Sequence, residues 1–330
     1  MPTRRCISRR SFRSACAGLL ALAACAAHAD EPYPTRPIRI IVPFSAGGGI
    51  DVLGRTIGQK LSETWQYAAV VENRPGASGN IGTDLAARAA PDGYTYLMTA
   101  NTIIMTPSFM QGVTFDPVKD FAPVMPIAIG SLALVTRPDF PARSVPQLIE
   151  LARKQPHKLN YGSPGTGTPH HLAMELVKQR AGIDVVHVPY KGSGGLVNDV
   201  LSGQVDLAFV PVHQALQFAR AGKMQMLAAG GTRRTAVTPD IPSLAEASGI
   251  ADVDVDMWYG LYLPAGTPPA IVAKVNAEVA RILKMPDVVK SLSMQGLQPS
   301  GGTPDDLARL TRDDFQRWAG VIRQAGLSSQ

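Results

Sequence analysis

The sequence predicts an α/β protein with two doubly wound lobes and a central cleft. Short runs rich in β-branched and aromatic residues alternate with amphipathic segments of helical length, which is typical of parallel sheets with right-handed crossovers. A glycine-rich stretch, VPFSAGGGIDVLG at 42–54, recurs loosely as VPYKGSGGLVNDVLSG at 188–203. Two long apolar stretches, at 122–135 and 252–264, are interpreted as segments that cross between the lobes.

The strands are predicted from short apolar runs bounded by turn residues. They lie at 38–44, 68–74, 94–100, 131–137, 159–163, 185–190, 206–212 and 225–230. Helical patterns separate several of them, as at Val52–Thr64, where apolar residues recur every four positions. The helices from Pro269 onward are expected to return to the first lobe. This organisation places lobe 1 at 30–128 plus 253–330 and lobe 2 at 129–252.

Residues 1–29 are predicted to be a secretory signal peptide. Five arginines precede an apolar run, Ala15–Ala27, which ends in the small-residue site AHA, and the run is too short to span a membrane. The mature chain is expected to begin at Asp30 in the periplasm. Two refinements stay open: SRRSF at 8–12 resembles a twin-arginine export signal, and LAAC at 22–25 resembles a lipoprotein box that would leave Cys25 lipidated.

Without the leader, the charge of the chain is nearly balanced. The mature part has 27 Lys and Arg against 26 Asp and Glu, so we expect no nucleic-acid or membrane-surface partner. All three cysteines, Cys6, Cys16 and Cys25, lie in the leader. The mature part therefore has no disulfide, thiolate nucleophile or cysteine-metal site, and we expect no cofactor.

The glycine loops do not match the known catalytic or nucleotide-binding motifs. A dinucleotide fingerprint fails because its third glycine is Val52, and the stretch GSPGTGTPHH at 162–171 lacks the lysine of a phosphate loop. The glycines around Ser163 have the wrong spacing for a nucleophile elbow. His171 and Glu175 lie four residues apart without the zinc motif H-E-x-x-H. We therefore predict no catalytic residue and no metal ligand.

Both loops are suited to hold an anion. A helix N-terminus offers unpaired N–H groups and a partial positive charge, and glycines let a ligand approach them closely. Hydroxyl groups in the second loop add further donors. The candidate ligand-binding residues are Phe44, Ser45, Ala46, Gly47 and Gly48 in the first loop and Ser163, Thr166, Gly167 and Thr168 in the second.

Five more residues complete the candidates, and four of them have an alternative structural role. Asp51 could contact a ligand ammonium group or simply offset the helix dipole. Tyr190, like Phe44, either contacts the ligand or packs at a strand end. His171 is expected to face the cleft, with a hydrogen bond at the helix start as the alternative, whereas His170 points elsewhere. The remaining two are Asp206, which could cap or orient the pocket, and Gly192 of the repeated glycine-rich turn.

The chain resembles the periplasmic solute-binding proteins of the tripartite tricarboxylate transporter family, the Bug/TctC-like receptors. The matching segments include YPTRPIRIIVPFSAGGGIDVLGR, VVENRPGASGNIGTDLAARAAPDGYTYLMTANT, YGSPGTGTPHHLAMEL and WYGLYLPAGTPPAIVAKVN. The resemblance implies a Venus-flytrap fold that holds small carboxylates between the two loops, with waters bridging to the first loop. It also adds Asn101 and Thr102 as cleft-facing residues. Ile50 stands where family members commonly have a small polar residue, so the identity of their ligands cannot be transferred to this chain.

These observations predict a monomeric periplasmic protein that captures a small organic anion and delivers it to a membrane permease. Mono-, di- and tricarboxylates, amino acids and aromatic acids all suit the two loops. One alternative is a ligand-sensing adaptor for the ectodomain of a receptor kinase. Another is a secreted hydrolase that uses Ser163 and His171.

Overall fold

The computed structural model describes residues 33–190, 193–235, 237–251 and 253–324. The predicted leader, with its cleavage site and Cys25, lies outside the described residues. The helices and strands below all belong to the compact unit Arg36–Gln330. In the described part of the chain, no helix is both long and apolar enough to cross a membrane.

The described strands, in chain order, are β1 (Ile38–Val42), β2 (Ala69–Asn73), β3 (Thr95–Ala100), β4 (Phe121–Gly130), β5 (Leu132–Thr136), β6 (Asn160–Ser163), β7 (Val186–Pro189), β8 (Leu207–Pro211), β9 (Gln225–Ala229), β10 (Met257–Pro264) and β11 (Leu297–Pro299). They form two sheets, ordered β11-β4-β10-β3-β1-β2 and β7-β6-β8-β5-β9. The eight predicted strand segments each contain one of these strands.

The described helices are α1 (Gly49–Trp65), α2 (Asn80–Ala87), α3 (Thr102–Phe109), α4 (Val145–Lys154), α5 (Pro169–Ala181), α6 (Ser193–Ser202), α7 (Val212–Arg220), α8 (Leu244–Ser248), α9 (Pro269–Ile282), α10 (Pro286–Met294) and α11 (Pro304–Gln324). The apolar stripe predicted for α1 is buried against the first sheet. Gly54 allows this close approach, since a Cβ there would lie 3.0 Å from the Val42 side chain.

Each sheet combines parallel and antiparallel strands. In the first, β1 is parallel to β2 and β3, whereas β10 lies antiparallel between β3 and β4. In the second, β6 is parallel to β7 and β8, whereas β5 is antiparallel to β8 and β9. The expectation of parallel strands throughout is therefore wrong for β5 and β10, because these strands follow crossings between sheets instead of helical crossovers.

The prediction of two α/β lobes is confirmed. The chain leaves the first sheet at Gly130 and enters the second at Leu132, and it returns between Ala229 and Met257. The two long apolar stretches thus coincide with the crossings. The proposed lobe limits at 128/129 and 252/253 stay a prediction.

Candidate functional site

Parallel strands bring the candidate residues of each sheet to one edge. The carboxyl ends of β1, β2 and β3 lie side by side, because β1 is flanked by the other two. The first loop (Pro43–Gly48), a turn at Gly76–Gly79 and the start of α3 therefore share an edge. The carboxyl ends of β6, β7 and β8 do the same in the second sheet, where the second loop (Pro164–Thr168) follows β6.

The first loop presents open backbone to solvent. Ser45, Ala46, Gly47 and Gly48 are exposed. A Cβ added at Gly47 or Gly48 would meet nothing within 4 Å. Gly48 caps α1 in an extended conformation, with φ −82° and no side-chain hydrogen bond at the cap. The N–H groups that begin α1 have no acceptor one turn earlier in the helix, so a small anion can approach this end.

Asp51 braces the first loop from inside. Its side chain is buried, and it accepts hydrogen bonds from the Gly47 N–H (3.0 Å), Arg55 Nε (3.0 Å) and Asn73 Nδ2 (2.9 Å). Burial acts to raise the pKa of Asp51, but the hydrogen bonds from Arg55, Gly47 and Asn73 outweigh it and lower the pKa. The carboxylate is thus occupied by the protein, which favours the structural role over ligand contact.

A left-handed turn follows β2 on the same edge. Its four residues all have positive φ: 129° at Gly76, 47° at Ala77, 54° at Ser78 and 96° at Gly79. The last glycine is required by close packing, since a Cβ there would lie 3.0 Å from the Phe44 ring. Phe44 is half-buried, so its ring has a packing role against this turn.

The second loop is half-buried to buried and is held by the hydroxyl groups of Ser163 and Thr168. Ser163 Oγ and Thr168 Oγ1 both donate to the main-chain oxygen of Gly165, at 2.9 and 2.6 Å. Ser163 Oγ also lies 2.7 Å from His187 Nε2. Gly167 needs its positive φ of 75° and its missing side chain, because a Cβ there would lie 3.0 Å from Phe109. Two of the three hydroxyls at 163–168 thus donate within this segment.

His171 supports the second loop from below. Its Nδ1 accepts the Gly167 N–H at 3.0 Å, so the neutral ring carries its hydrogen on Nε2. The ring stacks on His187 with 4.0 Å between centroids. Burial, and next the charge of Lys178, lower the pKa of His171 to about 4. Burial, and next His171, lower the pKa of His187 to about 3. Both rings are therefore neutral near pH 7.

A buried acid and phenol complete this support. Tyr161 donates to Glu175, which also pairs with Lys178 Nζ at 2.8 Å. Burial, and next the Glu175 charge, raise the pKa of Tyr161. The Tyr161 ring stacks on His187 at 4.8 Å. This network lies inside the lobe and fixes the loop above it.

The edges of the two sheets contact each other. Ser78 Oγ of the left-handed turn donates to the main-chain oxygen of Thr166 at 2.8 Å. The Phe109 ring, at the end of α3, meets the His171 ring edge to face with 5.6 Å between centroids. The glycine loops therefore lie at the junction of the two lobes.

The remaining predicted site residues are Asn101, Thr102, Tyr190 and Gly192. Asn101 and Thr102 are buried where α3 begins, and Asn101 Oδ1 accepts no hydrogen bond from the described residues. The Tyr190 hydroxyl donates to Asp199 at 2.5 Å, which ties it to α6. Gly192 lies outside the described residues.

Asp206 does not belong to this edge. It precedes β8 and accepts from the Asn160 N–H at 3.0 Å and from Arg137 at 3.3 Å. These partners lie at the amino ends of β6 and β8, opposite to the second loop, because the two strands are parallel. The prediction that Asp206 belongs to the site is therefore wrong. Its carboxylate binds residues at the amino ends of the strands and has a structural role there.

Sequence reasoning missed three residues at this junction. They are Ser78, which joins the edges, Asn73, which holds both Asp51 and the Phe44 carbonyl, and His187, which is the actual partner of Ser163. The two glycines of GASG at 76–79 were the available signal for the first, since glycine adopts positive φ without a steric cost. No comparable sequence signal marks His187. No group of three His, Cys, Asp or Glu in the described ranges is placed to hold a metal.

Residues 53–327 match the family described as "Tripartite tricarboxylate transporter family receptor". The chain belongs to this family. It is thus one of the Bug/TctC-like periplasmic solute-binding proteins, as the resemblance predicted.

Individual relatives agree with this assignment. A Pseudomonas sp. (strain P51) protein, described as a UPF0065 protein in the tcbD-tcbE intergenic region, is 35% identical over 98% of this chain and 96% of its own length. The structure of R. palustris Rpa4515 with adipate has a TM-score of 0.85 to this fold, with 34% identity over 91% of this chain and 100% of that one. MatC from Rhodopseudomonas palustris, with bound malate, has a TM-score of 0.81 and 30% identity over 88% and 100%.

Proposed function

We propose that this protein captures a small organic carboxylate between the first and second loops and delivers it to a tripartite tricarboxylate-type permease. The observation that carries the proposal is the contact between the two sheet edges that hold the glycine loops. An exposed helix N-terminus with two open glycines lies on the edge that meets the second loop. The bound adipate and malate of the two R. palustris relatives support the same class of ligand.

The electrostatics of the first loop suit an anion without a charged side chain. The Asp51 charge is offset by Arg55, and the N–H groups of α1 are directed away from the helix. Such N–H groups bind carboxylates through charge-assisted hydrogen bonds, which are stronger than neutral ones.

The hydrolase alternative has little support in the geometry. Ser163 is fully buried, and its hydroxyl is engaged with Gly165 and His187 instead of His171. A nucleophile must be reachable by its substrate. Ligand binding without turnover is therefore the proposed activity, and the sensor-adaptor alternative shares the same binding step.

The test is native mass spectrometry of protein purified without refolding, followed by calorimetry with the acid that co-purifies. We expect a carboxylic acid that binds and is recovered unchanged, while the matching primary amide does not bind. Release of a hydrolysis product, or equal affinity for acid and amide, would contradict the proposal. Ligand-dependent uptake in membrane vesicles that contain the permease then separates transport from sensing.

A further inference from the structure

We propose that Ser78 is a positioning residue that holds the two lobes together around the ligand without touching the ligand. This inference rests on the proposed function. Its basis is the hydrogen bond from Ser78 Oγ to the main-chain oxygen of Thr166, at 2.8 Å. The donor lies on the edge of the first sheet and the acceptor lies in the loop that follows β6 of the second. Separation of the lobes at this point breaks the bond.

The turn that carries Ser78 is built to hold the side chain in place. Ala77 and Ser78 adopt positive φ, which costs free energy for residues with a Cβ. The surrounding structure enforces this conformation: Thr83 Oγ1 donates to the Gly79 carbonyl at 2.8 Å, and Gly82 lies so close to Pro43 and Arg74 that a Cβ would overlap both. A strained turn that is held this firmly indicates a positioning role.

Hydroxyl chemistry separates this role from ligand binding. A serine hydroxyl has one hydrogen, and here it is given to the Thr166 carbonyl. Ser78 therefore cannot donate at the same time to a ligand carboxylate, which accepts hydrogen bonds only. Gly165 also lies next to this hydroxyl, since a Cβ added there would be 3.5 Å from Ser78 Oγ. The side chain is thus directed at the backbone of the second loop.

The consequence is a uniform contribution to affinity. A contact made only in the closed form raises the closed population, and apparent affinity scales with that population whatever the ligand. One ordinary hydrogen bond corresponds to about a fivefold effect. A residue that touches the ligand instead affects different ligands to different degrees.

The test compares Ser78→Ala with wild type in calorimetry against succinate, malate, adipate and benzoate. We expect the affinity for every acid that wild type binds to fall by the same factor, about fivefold, through faster dissociation. Ser202→Ala is the matched control, because Ser202 Oγ donates to the Asp199 carbonyl within α6 alone. Its affinities should equal those of wild type. Unchanged affinity in Ser78→Ala, or a loss that differs strongly between acids, would overturn the proposal.

A second measurement does not depend on the choice of acid. Hydrogen exchange of the amides at 165–168, followed by mass spectrometry without added ligand, should be faster in Ser78→Ala than in Ser202→Ala. Equal exchange would overturn the Ser78 contact. If wild type binds none of the four acids, the carboxylate proposal loses its support, and the exchange result alone decides the role of Ser78.

Discussion

The two glycine loops follow the same plan in sequence but differ in how their donors are used. Each joins a parallel strand to a helix, β1 to α1 and β6 to α5. The first loop is exposed and is braced from below by the Asp51 carboxylate. The second is half-buried to buried, and the hydroxyls of Ser163 and Thr168 donate to its Gly165 carbonyl. We infer that the first loop offers main-chain donors, whereas the second offers a fixed surface on which the Thr166 hydroxyl is the proposed donor to the ligand.

The largest expected effect is the loss of the first loop's brace. Asp51→Ala removes an acceptor of three hydrogen bonds, so we expect the free energy of unfolding to fall by about 3 kcal/mol and ligand affinity to fall with it. Asp206→Ala, at the other end of the strands, should lower stability but leave affinity unchanged. Chemical denaturation and calorimetry on both variants measure this. Equal affinity in the two variants would show that the brace does not serve the site.

Acid should weaken the support of the second loop. The pKa of His171 is about 4 in the fold and about 6.5 in an unfolded chain. Below pH 6.5 the unfolded state therefore takes up a proton that the folded state does not, and stability is lost as pH falls. By pH 5 this amounts to about 2 kcal/mol for His171; half-buried His187 adds less, because solvent screens it.

The measurement is the difference in unfolding free energy between pH 7 and pH 5 in wild type and in His171→Gln. We expect a smaller loss in the variant. The difference between wild type and variant is needed because Asp256 changes the stability of both proteins in the opposite direction. Burial raises the pKa of Asp256 to about 6, so its protonation favours the folded state as the pH falls. His157→Gln is the control, since that ring is exposed. Identical pH dependence in wild type and His171→Gln would contradict the prediction.

Gly48→Val tests whether the open glycines meet the ligand. Its φ of −82° suits any residue, and the added side chain meets no protein atom near its Cβ. We expect affinity to fall at least tenfold, or about 1.4 kcal/mol, with a melting temperature within a few degrees of wild type. Gly47→Val should lose stability as well, because φ there is +90°. Loss of stability with intact affinity in Gly48→Val would contradict the carboxylate-loop interpretation.

The smallest effect separates two threonines of the second loop. Thr168→Val removes a partly buried hydrogen bond to Gly165 and should lower stability by about 1 kcal/mol. Half-buried Thr166→Val should leave stability unchanged and weaken ligand binding. Melting temperatures and calorimetry on the two single variants check this. The reverse pattern would mean that Thr168 is the residue that meets the ligand.

Much of the fold could be predicted because periodicity and turn residues are local signals. The buried stripe of α1 and all eight predicted strand segments follow from such signals. The direction of a strand is not a local signal, because it depends on where the chain re-enters the sheet after a long connection. The antiparallel placement of β10 between β3 and β4 is therefore not readable from its own residues.

The site was predictable only as far as the loops themselves. Glycines at 47 and 167 indicated the two turns, since positive φ leaves a compositional trace; that these loops bind the ligand stays a prediction. The hydrogen-bond partners of the side chains left no such trace in the sequence. The pairing of Ser163 with His187 joins residues 24 positions apart, and the Ser78 contact joins residues 88 apart. The error at Asp206 has a different cause: this residue begins the predicted strand at 206–212, whereas the loops follow the carboxyl ends of parallel strands, so its position was readable from the sequence.

The placement of β10 also has a consequence for the order of folding. All five strands of the second sheet lie within residues 132–229, so its hydrogen bonds can form from one continuous stretch of chain. The first sheet cannot close until residues 257–264 arrive, because β3 and β4 are joined only through β10. Pairing over such sequence separations is slow. The lobe that carries the amino-terminal strands is therefore expected to finish folding last, and a chain shortened before residue 257 would keep only the second sheet intact.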